Sequence, residues 1–362
     1  MNGDLRDFYQ GKRVLVTGAG GSIGSRLVES LLTMPVAEVR GVDIHESSLF
    51  QLQERFGSDP RLVPMLCDVR DEFETNRVFS GVNYCLHTAA LKHVPFCERN
   101  PFSAVQTNII GAQVVIRAAL ANKVERVLFT SSDKAVNPTN VMGASKLMAE
   151  RLFVAANNLE DRQNASIFSA TRFGNVAGTA GSVIPLFSRQ IAAGGPVTLT
   201  DPEMTRFVMT INQAVRLVLQ SMALARGGEV FVMKMPVVSI SDLAETMIDV
   251  LAPAFGRKPE GVPIQVIGQR QGEKVWEELT TDEEVRRAYD LDRDFLIILP
   301  AIGHSKASDD DEYRRLTKLG KTYHSANEIL MSKQEIKDFL LSPSVLPIEA
   351  RERLGIARGQ QP

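Results

Sequence analysis

The sequence predicts an α/β fold, a doubly wound parallel sheet with a smaller interleaved domain. Short runs rich in β-branched residues alternate with helix-period segments from residue 13 to residue 172, with short connections between them. The chemistry-bearing motifs fall at the carboxyl ends of those runs, where an open parallel sheet places its ligands. After Arg172 the alternation breaks into glycine-rich and proline-rich loops, which is where the second domain begins. A chain of 362 residues, 44% apolar, is long enough to bury cores for both parts.

Taken in order, Arg13-Val14-Leu15-Val16-Thr17 is a short apolar run between Gly11-Lys12 and a glycine cluster, and reads as a central strand. Gly18, Gly21 and Gly24 follow it, with Ser22 and Ile23 between the last two, and then a segment from Ser25 to Leu32 in which Leu27 and Leu31 recur at helical spacing. The glycines permit a tight turn, close backbone approach to a pyrophosphate and packing of the helix on the sheet, while the helix N-terminus faces the phosphates. Glycines also serve plain turns; the strand before and the helix after favour the dinucleotide reading.

A second strand, Glu38 to Val42, ends at Asp43. A carboxylate there accepts the hydroxyls of an adenosine ribose and repels a 2′-phosphate, so NAD is expected rather than NADP. The competing reading is an aspartate that caps the next helix. A third run, Arg61 to Cys67, leads into Asp68-Val69-Arg70, where Asp68 could meet an adenine amino group. Strands at 83–88, 126–132 and 166–172 and helices at about 103–121 and 143–154 complete this half.

Composition narrows the function. A formal charge of −2 gives no general attraction to nucleic acid or to an anionic membrane. The first residues do not read as a signal peptide, and no run approaches the ~20 apolar residues of a membrane span. A cytoplasmic chain with no membrane span is expected. Three cysteines suit a reducing compartment. Cys85, His87, His93 and Cys97 lie close enough in sequence to suggest a metal set, but Cys85 and His87 fall in an apolar run that reads as a buried strand, so no metal is expected.

Several further stretches carry a pattern. They are Ala89-Ala90-Leu91-Lys92-His93-Val94-Pro95, Glu98 to Pro101, Ser132-Asp133-Lys134 with Met142-Gly143-Ala144-Ser145-Lys146, and Arg172-Phe173-Gly174-Asn175-Val176. Gly181-Ser182-Val183-Ile184-Pro185, Pro202 to Arg206 and Arg270-Gln271-Gly272-Glu273-Lys274 continue it. With the glycine motif, and in this order, they resemble the extended short-chain dehydrogenase/reductases. Among these the chain is similar to the CapD-like polysaccharide-biosynthesis family, in its nucleotide-sugar 4,6-dehydratase branch. Met142 stands where most relatives in the wider group carry the tyrosine of a Tyr-x-x-x-Lys pair. It places the chain with the methionine-containing branch, which resembles UDP-N-acetylglucosamine 4,6-dehydratases that retain the C5 configuration. The best-known members carry an N-terminal membrane region; this chain is expected to be without it and to resemble the shorter soluble members.

The resemblance implies a Rossmann fold and assigns roles. Gly18, Gly21, Ser22, Ile23, Gly24, Asp43, Asp68, Val69, Ala89, Ala90 and Lys146 would hold NAD. A thioether has no proton to move, so Met142 shifts the acid–base work to its neighbours. Lys134 would take the C5 proton, Asp133 would protonate the departing C6 hydroxyl, Ser132 would hydrogen-bond the C4 oxygen, and Lys146 would bind the nicotinamide ribose. The group that deprotonates the C4 hydroxyl stays open between Lys134, Asp133 through a shared hydrogen bond, and water. Lys92, His93, Asn175, Ser182, Val183, Arg206, Arg270 and Glu273 would contact a nucleotide-diphosphate amino sugar, with the arginines on the diphosphate. Read without the resemblance, Asp133-Lys134 is a solvated turn, Lys146 a surface residue and Arg206 a partner of Asp201 or Glu203. Gln271, in place of the usual proline, and Trp276 leave the base open between uracil and guanine. A homo-oligomer, a dimer or larger, is expected. The alternatives are a nucleotide-sugar 4-epimerase or 4-ketoreductase, and a catalytically silent NAD-sensing module.

The expected domain division is 1–175 with 208–235 for the NAD-binding part and 176–207 with 236–345 for the substrate part, followed by a mobile tail at 346–362. In the later half a helix is expected at 211–225, a strand at 229–233, a helix capped by Ser241, and a solvated acidic loop at 308–315.

Overall fold

The computed structural model describes residues 5–159, 166–179, 181–270, 272–301, 313 and 315–356. The acidic 309–312 run and Gln271 lie outside the described residues. Two compact units divide the chain. The first is residues 1–172, 215–234 and 279–322; the second is 173–214, 235–278 and 323–362.

The first unit is built on one large sheet. Strands β1 (Arg13–Thr17), β2 (Glu38–Asp43), β3 (Leu62–Leu66), β4 (Tyr84–His87), β5 (Arg126–Thr130) and β6 (Ile167–Arg172) are all parallel. The second unit contributes β7 (Asn175–Val176), β8 (Val197–Leu199) and β9 (Thr205–Met209), the chain returns to the first for β10 (Val230–Met233), and β11 (Val237–Ser239) and β12 (Ile264–Val266) belong to the second again. Strands β13 (Ala288–Asp290), β14 (Phe295–Ile298) and β15 (Thr317–Lys318) close the first unit's sheet, whose order is β15-β13-β14-β10-β6-β5-β4-β1-β2-β3. From β1 the chain runs outward through β2 and β3, then returns to the other side of β1 with β4. The order therefore reverses between β1 and β4, and the crevice at their carboxyl ends is the topological switch point. All four residues of β4 are buried, as a strand covered on both faces requires.

The sequence division placed 279–322 with the second unit, and the structure joins it to the first. The reason is backbone pairing: β14 runs antiparallel to β10 with Phe231 opposite Ile297, and β13 and β15 extend that edge. Ile297, Leu299 and Tyr313 then bury against Phe231 and Ala225. The tail is also more ordered than expected over part of its length, because Ile348–Arg353 is a helix whose Ala350 is fully buried. Residues 357–362 lie outside the described residues.

Helix Pro101–Ala121 is long and apolar enough by length and composition to cross a membrane, and half of it is buried in the fold. It packs on helices Glu72–Phe79 and Val141–Ala156 as a layer of the first unit. Its middle turn, Val105–Ile110, is a π-helix.

In the second unit, helices Val183–Ala193, Ile240–Ala254 and Lys333–Leu341 bury Ile184, Phe187, Leu243, Met247, Leu251, Ile336 and Leu340 in one core. The cap of helix Ile240–Ala254 is Ser239, two residues earlier than expected, because its Oγ accepts from the Asp242 N–H at 3.3 Å.

A buried ionic fork organises the end of β6. Arg172, at 1% exposure, donates to Glu150 at 2.8 and 2.5 Å and to Glu284 at 2.8 and 2.7 Å, and to the Leu279 carbonyl at 3.1 Å. Glu150 comes from helix Val141–Ala156 and Glu284 from the short helix Asp282–Val285. Burial raises the Glu284 carboxyl, and the Arg172 hydrogen bond and charge more than offset it, holding the group down to about 2. Removing the cation leaves two buried carboxylates facing each other. Arg172→Met is therefore expected to lower stability by about 3–5 kcal/mol, read from the urea midpoint. Because the folded pKa of Glu284 lies below its unfolded value, this contribution is present above pH ~4.5 and is lost as pH falls toward 2. Glu284→Gln is expected to flatten that acid limb; an unchanged limb contradicts the assignment.

Candidate functional site

The glycine loop leaves β1 with Gly18 at φ +68°, where a side chain is strained. A Cβ on Gly18 would lie 2.8 Å from the Ala89 nitrogen, so the turn passes directly against the loop that follows β4. On Gly24 a Cβ would meet the Gly18 carbonyl oxygen at 2.1 Å, which is the close helix packing expected of that position. Helix Ser22–Leu32 starts from Gly21 with no side-chain cap, so its first N–H groups are left to a ligand or solvent. The cradle fits a pyrophosphate.

Asp43 accepts from the Gly20 N–H and the His45 N–H, both at 3.0 Å. It therefore faces the glycine loop and does not cap the next helix, whose N-cap is His45. Gly20 is a requirement that sequence reading missed: a Cβ there would sit 2.4 Å from the Ser48 Cβ and 3.1 Å from the Asp43 carboxylate. Asp68 is gripped by Arg70, whose Nε reaches both carboxylate oxygens at 2.9 Å, and this contact, against burial, lowers its pKa. Val69 is buried beneath Gly111.

At the end of β5 the chain turns through a short 3₁₀ helix, Asp133–Ala135. Asp133 is 1% exposed, and its Oδ1 accepts from the Ser132 hydroxyl at 2.7 Å, the Lys134 N–H at 2.8 Å and the Lys134 Nζ at 3.1 Å. The pair is thus a buried carboxylate with the Lys134 side-chain nitrogen and a hydroxyl on one oxygen, not a solvated turn. Met142, 4% exposed, packs on Cys97 and Ala104 with Val94 and Val141 around it.

One turn along the same helix, Lys146 is buried, and its Nζ donates to the Thr130 carbonyl at 2.9 Å above the Phe129 ring. Burial pushes its amine down to about 8, although Cys97 and Glu150 pull it up. Asn108, in the π-helical turn, was not singled out from the sequence. Its Oδ1 accepts from the Leu91 N–H at 2.8 Å and its Nδ2 donates to the Leu91 carbonyl at 3.0 Å and to the Ser145 Oγ at 2.9 Å. It ties the loop of Ala89, Ala90, Lys92 and His93 to the helix of Lys146, and the extra residue of the π turn is the kind of feature that marks functional sites.

Of the four residues whose spacing suggests a metal set, Cys85 lies buried in β4 and His87 is held by Thr17, with Nδ1 and Oγ1 2.7 Å apart. Burial and the Lys146 charge push His87 down to about 3.

The second unit holds the remaining residues. Asn175 lies in β7, and Ser182, whose Oγ donates to the Thr179 carbonyl at 2.7 Å, precedes helix Val183–Ala193. Arg206 does not pair with Asp201 or Glu203. Its guanidinium donates to the Thr205, Val275 and Lys274 carbonyls at 2.7, 3.0 and 2.7 Å and faces Glu277 at 3.7 Å. Arg206 thus pins the segment after Glu273. Arg270 is exposed, in a turn closed by its own N–H to the Glu273 carboxylate at 3.3 Å.

The sequence pattern of the family described as polysaccharide biosynthesis protein matches residues 14–298. This chain belongs to that family. It is 44% identical to a Methanocaldococcus jannaschii protein named uncharacterized membrane protein MJ1061, over 95% of this chain and 99% of that one. The capsular polysaccharide biosynthesis protein CapD of Staphylococcus aureus is 44% identical over 76% of this chain, which spans 46% of that protein. A Rickettsia canadensis protein named UDP-glucose 4-epimerase is 37% identical over 91% of this chain and 96% of its own length. Among solved structures, Pen from Bacillus thuringiensis superposes with a TM-score of 0.86 at 39% identity, over 94% of this chain and all of that one.

The buried Lys146 gives the site a pH signature. Affinity for a pyridine dinucleotide, measured by titration calorimetry, is expected to fall as pH rises through about 8 and the amine loses its charge. Lys146→Arg is expected to remove that fall. A flat profile in the unaltered protein contradicts a cationic role for Lys146.

Proposed function

We propose that this chain is an NAD-dependent nucleotide-sugar 4,6-dehydratase that converts UDP-N-acetylglucosamine, or a close relative, to the 4-keto-6-deoxy sugar with C5 configuration retained. The observation that carries the reading is the buried Ser132–Asp133–Lys134 cluster beside a methionine that packs as wall. A proton donor and a proton acceptor in contact are what an elimination across C5 and C6 needs.

NAD held by Gly18, Gly21, Gly24 and Asp43 would supply a reversible hydride acceptor for the C4 oxidation and the C6 reduction. The protein's own groups handle the protons. Ser132 takes the C4 hydroxyl proton and passes it along its 2.7 Å hydrogen bond to Asp133. Asp133 delivers that proton to the C6 hydroxyl, which leaves as water. Lys134, as the neutral amine, removes the C5 proton and gives it back to the same face, which retains the configuration. The balance closes with one water released and each side chain restored. Gly18, Gly21, Gly24 and Asp43 hold the dinucleotide, Lys146 its nicotinamide ribose, and Arg270 the diphosphate of the sugar nucleotide.

The 4-epimerase reading draws support from the name of the Rickettsia relative. An epimerase moves one proton at C4 and has no use for a base at C5. Incubation with UDP-N-acetylglucosamine separates the two by NMR: a 6-methyl, 4-keto product supports dehydration, and an epimer that keeps its C6 hydroxyl refutes it. Asp133→Asn is expected to lower turnover by roughly 10²–10⁴, and Lys134→Ala to abolish C5 proton exchange while the cofactor stays bound. Met142→Leu, close to volume-conserving, is expected to cost little. A dead Met142→Leu beside a near-normal Asp133→Asn would overturn this division of labour.

A further inference from the structure

The second unit carries a sheet edge that is left open. Strand β12 pairs in parallel with β8 as a two-stranded sheet, Ile264 opposite Val197 and Val266 opposite Leu199. The Val197 N–H donates to the Pro263 carbonyl and the Ile267 N–H to the Leu199 carbonyl, both at 2.8 Å. The main-chain groups of residues 263, 265 and 267 thus turn toward β8. Those of Ile264 and Val266 turn outward, because successive residues of a strand alternate in direction, and no hydrogen-bond partner among the described residues meets them.

Other sheet edges in the chain are guarded. On β8 the Thr198 N–H points away from β12 and donates to the Gln190 Oε1 at 3.1 Å, while the Gln190 Nε2 donates to the Thr198 hydroxyl at 2.8 Å. Strand β11 is bridged by Leu330 at Val237, whose carbonyl accepts from the Met331 N–H at 2.8 Å. In the first unit β3 has Pro64 at its centre and β15 ends on Lys318. Proline, lysine and side-chain cover are devices that keep an edge from pairing. From Ile264 to Val266 none is present, and the apolar side chains stand in solvent: Ile264 is 37% exposed, Val266 58% and the adjoining Ile267 48%.

This strand is complementary to itself. Two copies related by a two-fold axis at Gln265 run antiparallel, with Ile264 of each opposite Val266 of the other. Those are the residues whose N–H and C=O groups face outward, so both pairs close with two hydrogen bonds each and set one branched apolar side chain against another. Gln265 then meets its own copy, and Ile267 meets Pro263. The segment Pro263 to Gly268 carries no charge, so the axis brings no like charges together. A one-residue slip would set the outward groups against residues whose groups are already spent on β8, which opposes that register.

We propose that β12 is the contact through which a second copy of this chain docks, joining the two small sheets into one of four strands by an isologous interface. The proposal does not depend on which reaction the first unit performs.

Sedimentation of the purified full chain over a range of concentrations, with NAD present, tests it. A concentration-dependent dimer is expected. Val266→Lys places an ammonium opposite the partner's Ile264 and is expected to weaken self-association roughly 10- to 100-fold, with the melting temperature of the dilute protein unchanged because the side chain already faces solvent. Gln265→Cys is expected to give a disulfide-linked dimer on mild oxidation, since the two-fold register sets the two Cα atoms about 4.5 Å apart. The native Cys67, Cys85 and Cys97 are buried and do not compete. Ile264→Cys lies out of register with its own copy and is expected not to link. A monomer at every concentration overturns the proposal. Self-association that Val266→Lys leaves unchanged overturns it too, because the contact then lies on another face, as does linking that is equal at positions 264 and 265.

Discussion

The Arg172 fork is the interaction on which the first unit depends. One guanidinium, shut away from water, binds two carboxylates that come from distant parts of the chain. Glu150 lies one turn beyond Lys146 on the same helix, so the fork fixes the helix that carries both Met142 and Lys146. Glu284 belongs to the segment that returns to extend the sheet, so the same contact secures residues 279–322 to the first unit. A buried pair of this kind is weak evidence of stability gained over an apolar core, yet breaking it is costly because a charge is left unpaired. Its value lies in specifying where the helix sits.

With that helix placed, the substitution at position 142 becomes intelligible in physical terms. A methionine there needs only apolar neighbours, and Cys97, Ala104, Val94 and Val141 supply them. The proton-bearing groups gather instead at the end of β5, where a strand buried from Val127 to Thr130 turns sharply and brings three donors onto one carboxylate oxygen. Asn108 joins Leu91 to Ser145, so the loop after β4 and the lysine helix share one support.

What could be read from the sequence was what local pattern encodes. Strand β1 ends at Thr17 as its β-branched run indicates, and Gly18 and Gly24 show the steric demands that their spacing implied. What escaped depends on long-range pairing. Gly20 looks like any other loop glycine until Ser48 and Asp43 arrive beside it. Arg172 and Glu150 are 22 positions apart and Glu284 lies 112 from Arg172, so no local period connects them. The edge strands β13 to β15 are too short to announce which sheet they join. Ser239 and Ser241 lie two residues apart at the start of the same apolar helical pattern, and only the hydrogen bond from the Asp242 N–H decides between them. Arg206 carries a charge that suits a diphosphate, and nothing in its sequence context reveals that three main-chain carbonyls claim it.

The central claim is that hydrogen moves within one sugar, from C4 to C6, while Asp133 and Lys134 manage the protons. UDP-N-acetylglucosamine carrying deuterium at C4, turned over by the purified protein in ordinary water, tests it most directly. The account predicts a 4-keto product with the deuterium in its C6 methyl group and ordinary hydrogen at C5. Deuterium found again at C4, with the C6 hydroxyl intact, would contradict it.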